Sequence, residues 1–195
     1  MRRRIERTAD AVVPRSASER RRRAWRRRKE WIMSTADNLK KAFAGESQAN
    51  RTYLAFAKKA DEDGYPQVAK LFRAAADAET VHALGHLGNM SGVNDTRWNL
   101  KQAVEGETFE FQQMYPAMVE EAKSEGEQLT ATFFGYADQV EEIHAGLYTK
   151  ALERLGDNPE VDYYVCQFCG NTVEGEAPDV CPICGAPRSM FKMIE

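Results

Sequence analysis

Glu141-Glu142-Ile143-His144 is the stretch on which the reading of this 195-residue chain turns. On a helix, residues three apart share one face, and the same pattern stands at Glu79-Thr80-Val81-His82. Four helices hold a pair of metal ions when two of them each bring Glu-x-x-His and the other two each bring an inward Glu. The two further glutamates must precede and separate the motifs, and Glu46 and Glu107 stand there, with Glu110 three residues beyond Glu107.

The surrounding pattern supplies the helices. The first is expected from Ser34 or Thr35, either a suitable N-cap, to about Asp63, where Gly64-Tyr65-Pro66 breaks it. The second starts at Pro66 and runs to about Met90; the third starts near Asn99, is kinked by Pro116 and ends at Ser124-Glu125-Gly126; the fourth extends from about Glu127 to Leu155. Antiparallel helices bring residues equidistant from their turn to one height. Glu46 lies 18 residues before Gly64, and Glu79 and His82 lie 15 and 18 after it. Around Gly126, Glu107 and Glu110 lie 19 and 16 before, and Glu141 and His144 lie 15 and 18 after. The two hairpins therefore read as an internal repeat whose ligand sets meet at one level. About ten residues connect them, enough to span roughly 33 Å when extended, so the long crossover of a ferritin-like bundle can be made here.

Carboxylate and imidazole donors suit iron or manganese, and a buried cluster of five glutamates is costly without cations. Tyr53 lies seven residues after Glu46 and Tyr115 lies eight after Glu107, each two turns along on nearly the same face. Both are candidate donors to a metal-bound carboxylate. His86, one turn beyond His82, reads as a core-edge or surface histidine.

The four cysteines form two C-x-x-C pairs, Cys166/Cys169 and Cys181/Cys184, separated by eleven residues. A unit of residues 160–195 is too small for apolar burial alone to hold it, so a metal bound by four thiolates is its expected staple. Zinc is the common occupant of such ribbons.

Composition narrows the class. The chain is 43% hydrophobic with net charge −3. Residues 1–32 hold 13 Lys or Arg against 4 Asp or Glu, which leaves 14 against 26 for the rest. An acidic body argues against nucleic acid as the partner of the folded part. No run approaches the roughly 18 apolar residues of a membrane span, and the thiol pattern suits a reducing compartment, so a cytoplasmic protein is expected. Residues 1–33 are expected to be a disordered basic extension, or to lie upstream of a true start at Met33.

Phe43-Ala44-Gly45-Glu46-Ser47-Gln48-Ala49, Glu79-Thr80-Val81-His82-Ala83, Gly106-Glu107-Thr108-Phe109-Glu110, Met114-Tyr115-Pro116 and Glu141-Glu142-Ile143-His144 together resemble the rubrerythrin family, over residues 34–195. Tyr164-Val165-Cys166-Gln167-Phe168-Cys169-Gly170 and Val180-Cys181-Pro182-Ile183-Cys184-Gly185 resemble rubredoxin knuckles, which favours iron over zinc. The resemblance implies an all-α four-helix ferritin-like bundle (34–156) carrying two iron ions, followed by a rubredoxin-like Cys₄ iron domain (160–195) of short strands. It implies terminal ligation by Glu46 and Glu107, bridging by Glu79 and Glu141, nitrogen ligation by His144, and exchange of His82 for Glu110 between redox states. His82, Glu110, Tyr53 and Tyr115 are then the candidate catalytic residues. The implied activity is reduction of hydrogen peroxide to water in oxidative-stress defence. A rubredoxin-type, ferredoxin-type or NAD(P)H-dependent reductase would donate the electrons, since no nicotinamide-binding Gly-rich motif is present. A head-to-tail homodimer, or a higher oligomer, is implied, with one subunit's rubredoxin unit near its partner's di-iron site. Competing readings are a ferroxidase or iron-storage protein and a non-enzymatic electron carrier or zinc-stapled module.

Overall fold

The computed structural model describes residues 34–195; the expectation for residues 1–33 lies outside them. Five α-helices form four long helical rods: α1 (Thr35–Glu62), α2 (Pro66–Asn89), α3 (Thr96–Phe109) continued through a π-helical turn (Glu110–Met114) into α4 (Tyr115–Ser124), and α5 (Gln128–Glu153). Three short strands follow, β1 (Tyr163–Cys166), β2 (Thr172–Glu174) and β3 (Phe191–Ile194). No helix among the described residues is long and apolar enough to cross a membrane.

The chain divides into two compact units, the first ending at Gly92 and the second spanning Val93–Glu195. In the first, Ser34 caps α1 in a reciprocal capping box with Asp37. Gly64, at φ 81°, supplies the left-handed turn that reverses the chain into α2. The seam of this hairpin is lined by Ala57, Ala60, Ala69, Ala76 and Ala83, all buried, so the two backbones approach closely. Asn50 fixes their register, its Nδ2 donating to the Ala76 carbonyl (2.7 Å) and to Thr80 Oγ1 (2.8 Å).

In the second unit, α3 starts at Thr96, three residues earlier than the pattern suggested. Asp95 caps it, accepting from the Trp98 N–H at 2.8 Å, and Asn99 bonds back to both backbone groups of Asn94. The connection between the hairpins is therefore six residues, Met90–Asp95, instead of about ten. Where a kink was expected at Pro116, a π-helical turn stands just before it. Proline has no N–H to give to the preceding turn, and the helix absorbs this one turn earlier, with the Tyr115 N–H reaching five residues back to Glu110. Glu110 thus opens a π turn, an irregularity common at functional sites.

The strands form one antiparallel sheet in the order β2-β1-β3. Each cysteine pair closes in the same way: the Gly170 N–H bonds the Cys166 carbonyl (2.9 Å), and the Gly185 N–H bonds the Cys181 carbonyl (2.9 Å). Both glycines sit at positive φ, 86° and 77°, which is why glycine follows each second cysteine. This sheet unit docks on α5 of its own chain. Val140, 2% exposed, packs with Cys166, Cys169 and Cys181, and Tyr136 meets Phe168 edge to face.

Candidate metal centres

Three groups of donor atoms converge, each within 4.8 Å: Glu46, Glu79 and His82; Glu107, Glu141 and His144; and Cys166, Cys169, Cys181 and Cys184. The first two are the counterparts expected from the repeat, one on each hairpin.

On the first hairpin, Glu46 and Glu79 share a carboxyl–carboxyl hydrogen bond. This holds the Glu46 carboxyl above its usual range and, with a bond from His82, holds Glu79 below it. His82 Nδ1 lies 3.1 Å from Glu79 Oε2. His86 is half-buried, and its charge acts on Glu46 in the lowering direction. Tyr53 stands in an aromatic cluster with Phe56 and Phe72, at ring separations of 6.5 and 6.2 Å.

On the second hairpin, His144 Nδ1 lies 2.7 Å from Glu141 Oε2 and 3.7 Å from Glu107 Oε1. Burial, reinforced by the negative charge of Glu141, pushes the Glu107 carboxyl up to about 7. Burial and Glu141 also raise Glu110, which borders the cluster, while His144 acts in the opposite direction. Tyr115 is held above the usual phenol range by burial and by Glu141, Glu110 and Glu107, so the structure brings it to this cluster.

Two further residues join this group. Tyr148 is raised by partial burial and by Glu107 and Glu141; it lies seven residues after Glu141, the spacing that singled out Tyr53. Thr172 comes from β2. His144 Nε2 lies 2.9 Å from Thr172 Oγ1, and that hydroxyl donates to the Gly170 carbonyl at 3.1 Å. With its proton committed to Gly170, the Thr172 oxygen accepts from Nε2–H, while Nδ1, 2.7 Å from Glu141 Oε2, shares with that carboxylate a proton that a bound cation would displace.

The donors fit the expected ions. At each cluster one carboxyl is raised by its carboxylate neighbour, Glu46 by Glu79 and Glu107 by burial and Glu141, a cost that cations would remove. In the cysteine group, Cys166 and Cys184 sulfurs are 3.8 Å apart and Cys169 and Cys181 sulfurs 3.6 Å. A tetrahedron with metal–sulfur bonds of about 2.3 Å has edges of about 3.8 Å. All four thiols are free of disulfides. Burial pushes the Cys169 thiol up. It also opposes ionisation of Cys181, yet the Cys184 and Ile183 N–H groups aimed at that sulfur bring it down to about 7. Buried Asn171 points its Nδ2 at Cys181 Sγ, 3.6 Å away.

Comparison with known proteins agrees with this geometry. The profile described as Rubrerythrin matches residues 37–152, and the one described as Rubrerythrin, rubredoxin-like domain matches residues 164–192. The chain belongs to the rubrerythrin family. Rubrerythrin-2 of Clostridium acetobutylicum is 34% identical over 175 residues, covering 81% of this chain and 95% of that protein. Nigerythrin of Nitratidesulfovibrio vulgaris is 35% identical over 175 residues, covering 82% and 86%. A solved structure of nigerythrin in its partially reduced state, 33% identical, superposes with a TM-score of 0.51 over 84% of this chain and 88% of its own. Rubrerythrins carry a di-iron site and a rubredoxin-like Cys₄ site, and this chain has the Glu/His groups and the Cys₄ group for both. They are oxidoreductases that work with an electron donor, and the rubredoxin-like domain suits electron transfer.

Proposed function

We propose that this protein is a peroxidase that reduces hydrogen peroxide to water, taking two electrons and two protons per peroxide. The observation that carries the reading is the position of His144, whose one ring nitrogen faces Glu107 and Glu141 while the other is bonded to Thr172 of the cysteine unit. Redox-active donors and the candidate bundle site are joined through one imidazole.

In this reading Glu46 and Glu107 would serve as terminal carboxylates, Glu79 and Glu141 as shared carboxylates and His144 as a nitrogen donor to bound iron, with His82 and Glu110 as alternative donors. Iron held there would supply the two electrons that reduce peroxide, and iron held by Cys166, Cys169, Cys181 and Cys184 would supply single-electron chemistry. The chain's residues do the rest. Tyr115 and Tyr148 keep their phenol protons at neutral pH, because burial and, after it, the neighbouring carboxylates disfavour the phenolate, and can donate hydrogen bonds toward those carboxylates. The π turn at Glu110 gives that carboxylate a backbone irregularity on which to shift. Val140 and the Thr172–His144 bond connect the cysteine knuckles to α5. Four clustered free thiols suit the cytoplasm, and a rubredoxin-type protein or an NAD(P)H-dependent reductase is the donor.

The test is coupled turnover of iron-loaded protein with a rubredoxin-type donor and its NADH-dependent reductase. One NADH consumed per peroxide without oxygen release is expected, with turnover abolished by Cys166→Ser even where excess iron keeps the bundle site loaded. Oxygen release from peroxide, or peroxide loss without NADH oxidation, refutes the reading.

A further inference from the structure

Among the described residues Asn171 is the only buried polar residue, at 1% exposure, and the two cysteine knuckles explain how it is held. In the first knuckle the Cys166 N–H bonds the Asn171 carbonyl at 2.9 Å, and in the second the Cys181 N–H bonds the Ala186 carbonyl at 2.7 Å. The N–H of Asn171 is directed at Cys169 Sγ, as that of Ala186 is at Cys184 Sγ. Asn171 and Ala186 thus hold equivalent places, each two residues after the last cysteine of its knuckle. Only the first of them carries a polar side chain.

That side chain crosses to the other knuckle. Its Nδ2 donates to Cys181 Sγ at 3.6 Å, a sulfur that already accepts from the Cys184 and Ile183 N–H groups. The amide is therefore a third donor to one thiolate. A carbonyl oxygen in its place would repel that thiolate, so the charge on sulfur fixes which end of the amide faces it. The other end, Oδ1, is buried with no hydrogen-bond partner. Buried polar atoms are paired in the great majority of cases, and an orphan costs stability. A leucine would fill the space without that cost, and the polar contact the asparagine side chain gains in exchange is the one to sulfur.

The chemistry of the sulfur decides what such a bond does. A hydrogen bond strengthens as its acceptor becomes more negative, and one-electron reduction of iron held by four thiolates leaves more negative charge on the sulfurs. Hydrogen bonds to the sulfurs thus favour the reduced state and help to set the potential of iron–thiolate centres. We infer that Asn171 sets the reduction potential of the Cys₄ centre: its side-chain amide, bonded to Cys181 Sγ, stabilises the reduced iron and raises the potential above that of the same two knuckles without it. A centre tuned in this way holds its electron while the bundle site is reduced and releases it to a stronger oxidant. Iron in the cysteine group is the reading this depends on; peroxide as the substrate is not.

The test is a mediated redox titration of the iron-loaded full chain, followed by the Cys₄ absorbance, in wild type and in Asn171→Leu, which keeps the bulk of the side chain and removes the donor. At a fixed potential the ratio of reduced to oxidised centre should fall roughly tenfold in the variant, a drop in midpoint of about 59 mV for one electron, with the thiolate-to-iron bands still present. A residue that only filled space would leave the midpoint where it was, and an equal or higher midpoint overturns the inference. A second arm needs neither a variant nor iron. In the wild-type chain loaded with an NMR-active cadmium isotope, one Asn171 Nδ2 proton should show scalar coupling to the metal, transmitted through Cys181 Sγ; a spectrum without that coupling overturns the bond itself. A chain that gives both expected results and yet leaves peroxide unreduced supports the role of Asn171 and refutes only the proposed function.

Discussion

Replacing Thr172 by Val removes one hydroxyl and little volume, and it isolates the link between the cysteine unit and the bundle. In the wild type, His144 Nε2 and Thr172 Oγ1 are 2.9 Å apart and half-buried. Losing this bond costs about 1 kcal/mol, and leaving a buried N–H without a partner adds about as much again. At 1.4 kcal/mol per tenfold, a total of about 2 kcal/mol should lower metal affinity at the bundle roughly 30-fold, in line with the effect of losing the group that orients a ligating histidine. The assay is competition with a graded chelator, read separately at the bundle and Cys₄ chromophores. Thr172→Ser, which restores the acceptor, should recover wild-type affinity, and the Cys₄ site should be unchanged in both variants. Equal bundle affinity in Thr172→Val and wild type would refute the argument that Thr172 sets the tautomer and aim of His144.

Other consequences follow from the same contacts. Val140→Ala, which removes two buried methyl groups from beneath three cysteines, should lower stability by about 1.5–2 kcal/mol, measured by chemical denaturation of the iron-loaded protein. Cys166→Ser should release the Cys₄ metal and, with it, the protection of β1–β3 amides in hydrogen exchange, because a unit this small depends on its staple; retained protection would contradict that dependence. The ion pair of Lys150 with Glu174 holds the Glu174 carboxyl below its usual range. Its stabilisation is thus fully present above the unfolded carboxylate pKa near 4.3 and disappears as pH falls through the lowered folded value. With Lys150 partly exposed, Glu174→Gln should cost only about 0.5 kcal/mol at pH 7, and the difference from wild type should shrink as pH falls below the unfolded carboxylate pKa.

Periodicity and spacing made most of the site legible. Equidistance from Gly64 and Gly126 placed Glu46 beside Glu79 and Glu107 beside Glu141, because antiparallel helices convert distance along the chain into height. Ser34, Pro66 and the two turn glycines marked helix ends through local backbone rules. What escaped was tertiary or depended on a single residue's cap. Thr172 reaches His144 across 28 positions only because β2 docks on α5, and no local pattern encodes that contact. The π turn at Glu110 arises one turn before the proline that causes it. Asp95 shortens the connection by capping α3 early. Tyr148 carried the same seven-residue signal as Tyr53 and could have been read from it.

The account's central claim is met most directly by anaerobic stopped-flow absorbance of the fully reduced, iron-loaded protein, mixed in separate runs with peroxide and with oxygen. Peroxide should oxidise both the bundle iron and the Cys₄ iron rapidly, with the Cys₄ colour following the bundle signal, while oxygen reacts much more slowly. Faster oxidation by oxygen than by peroxide, or a Cys₄ site that never changes colour, would contradict it.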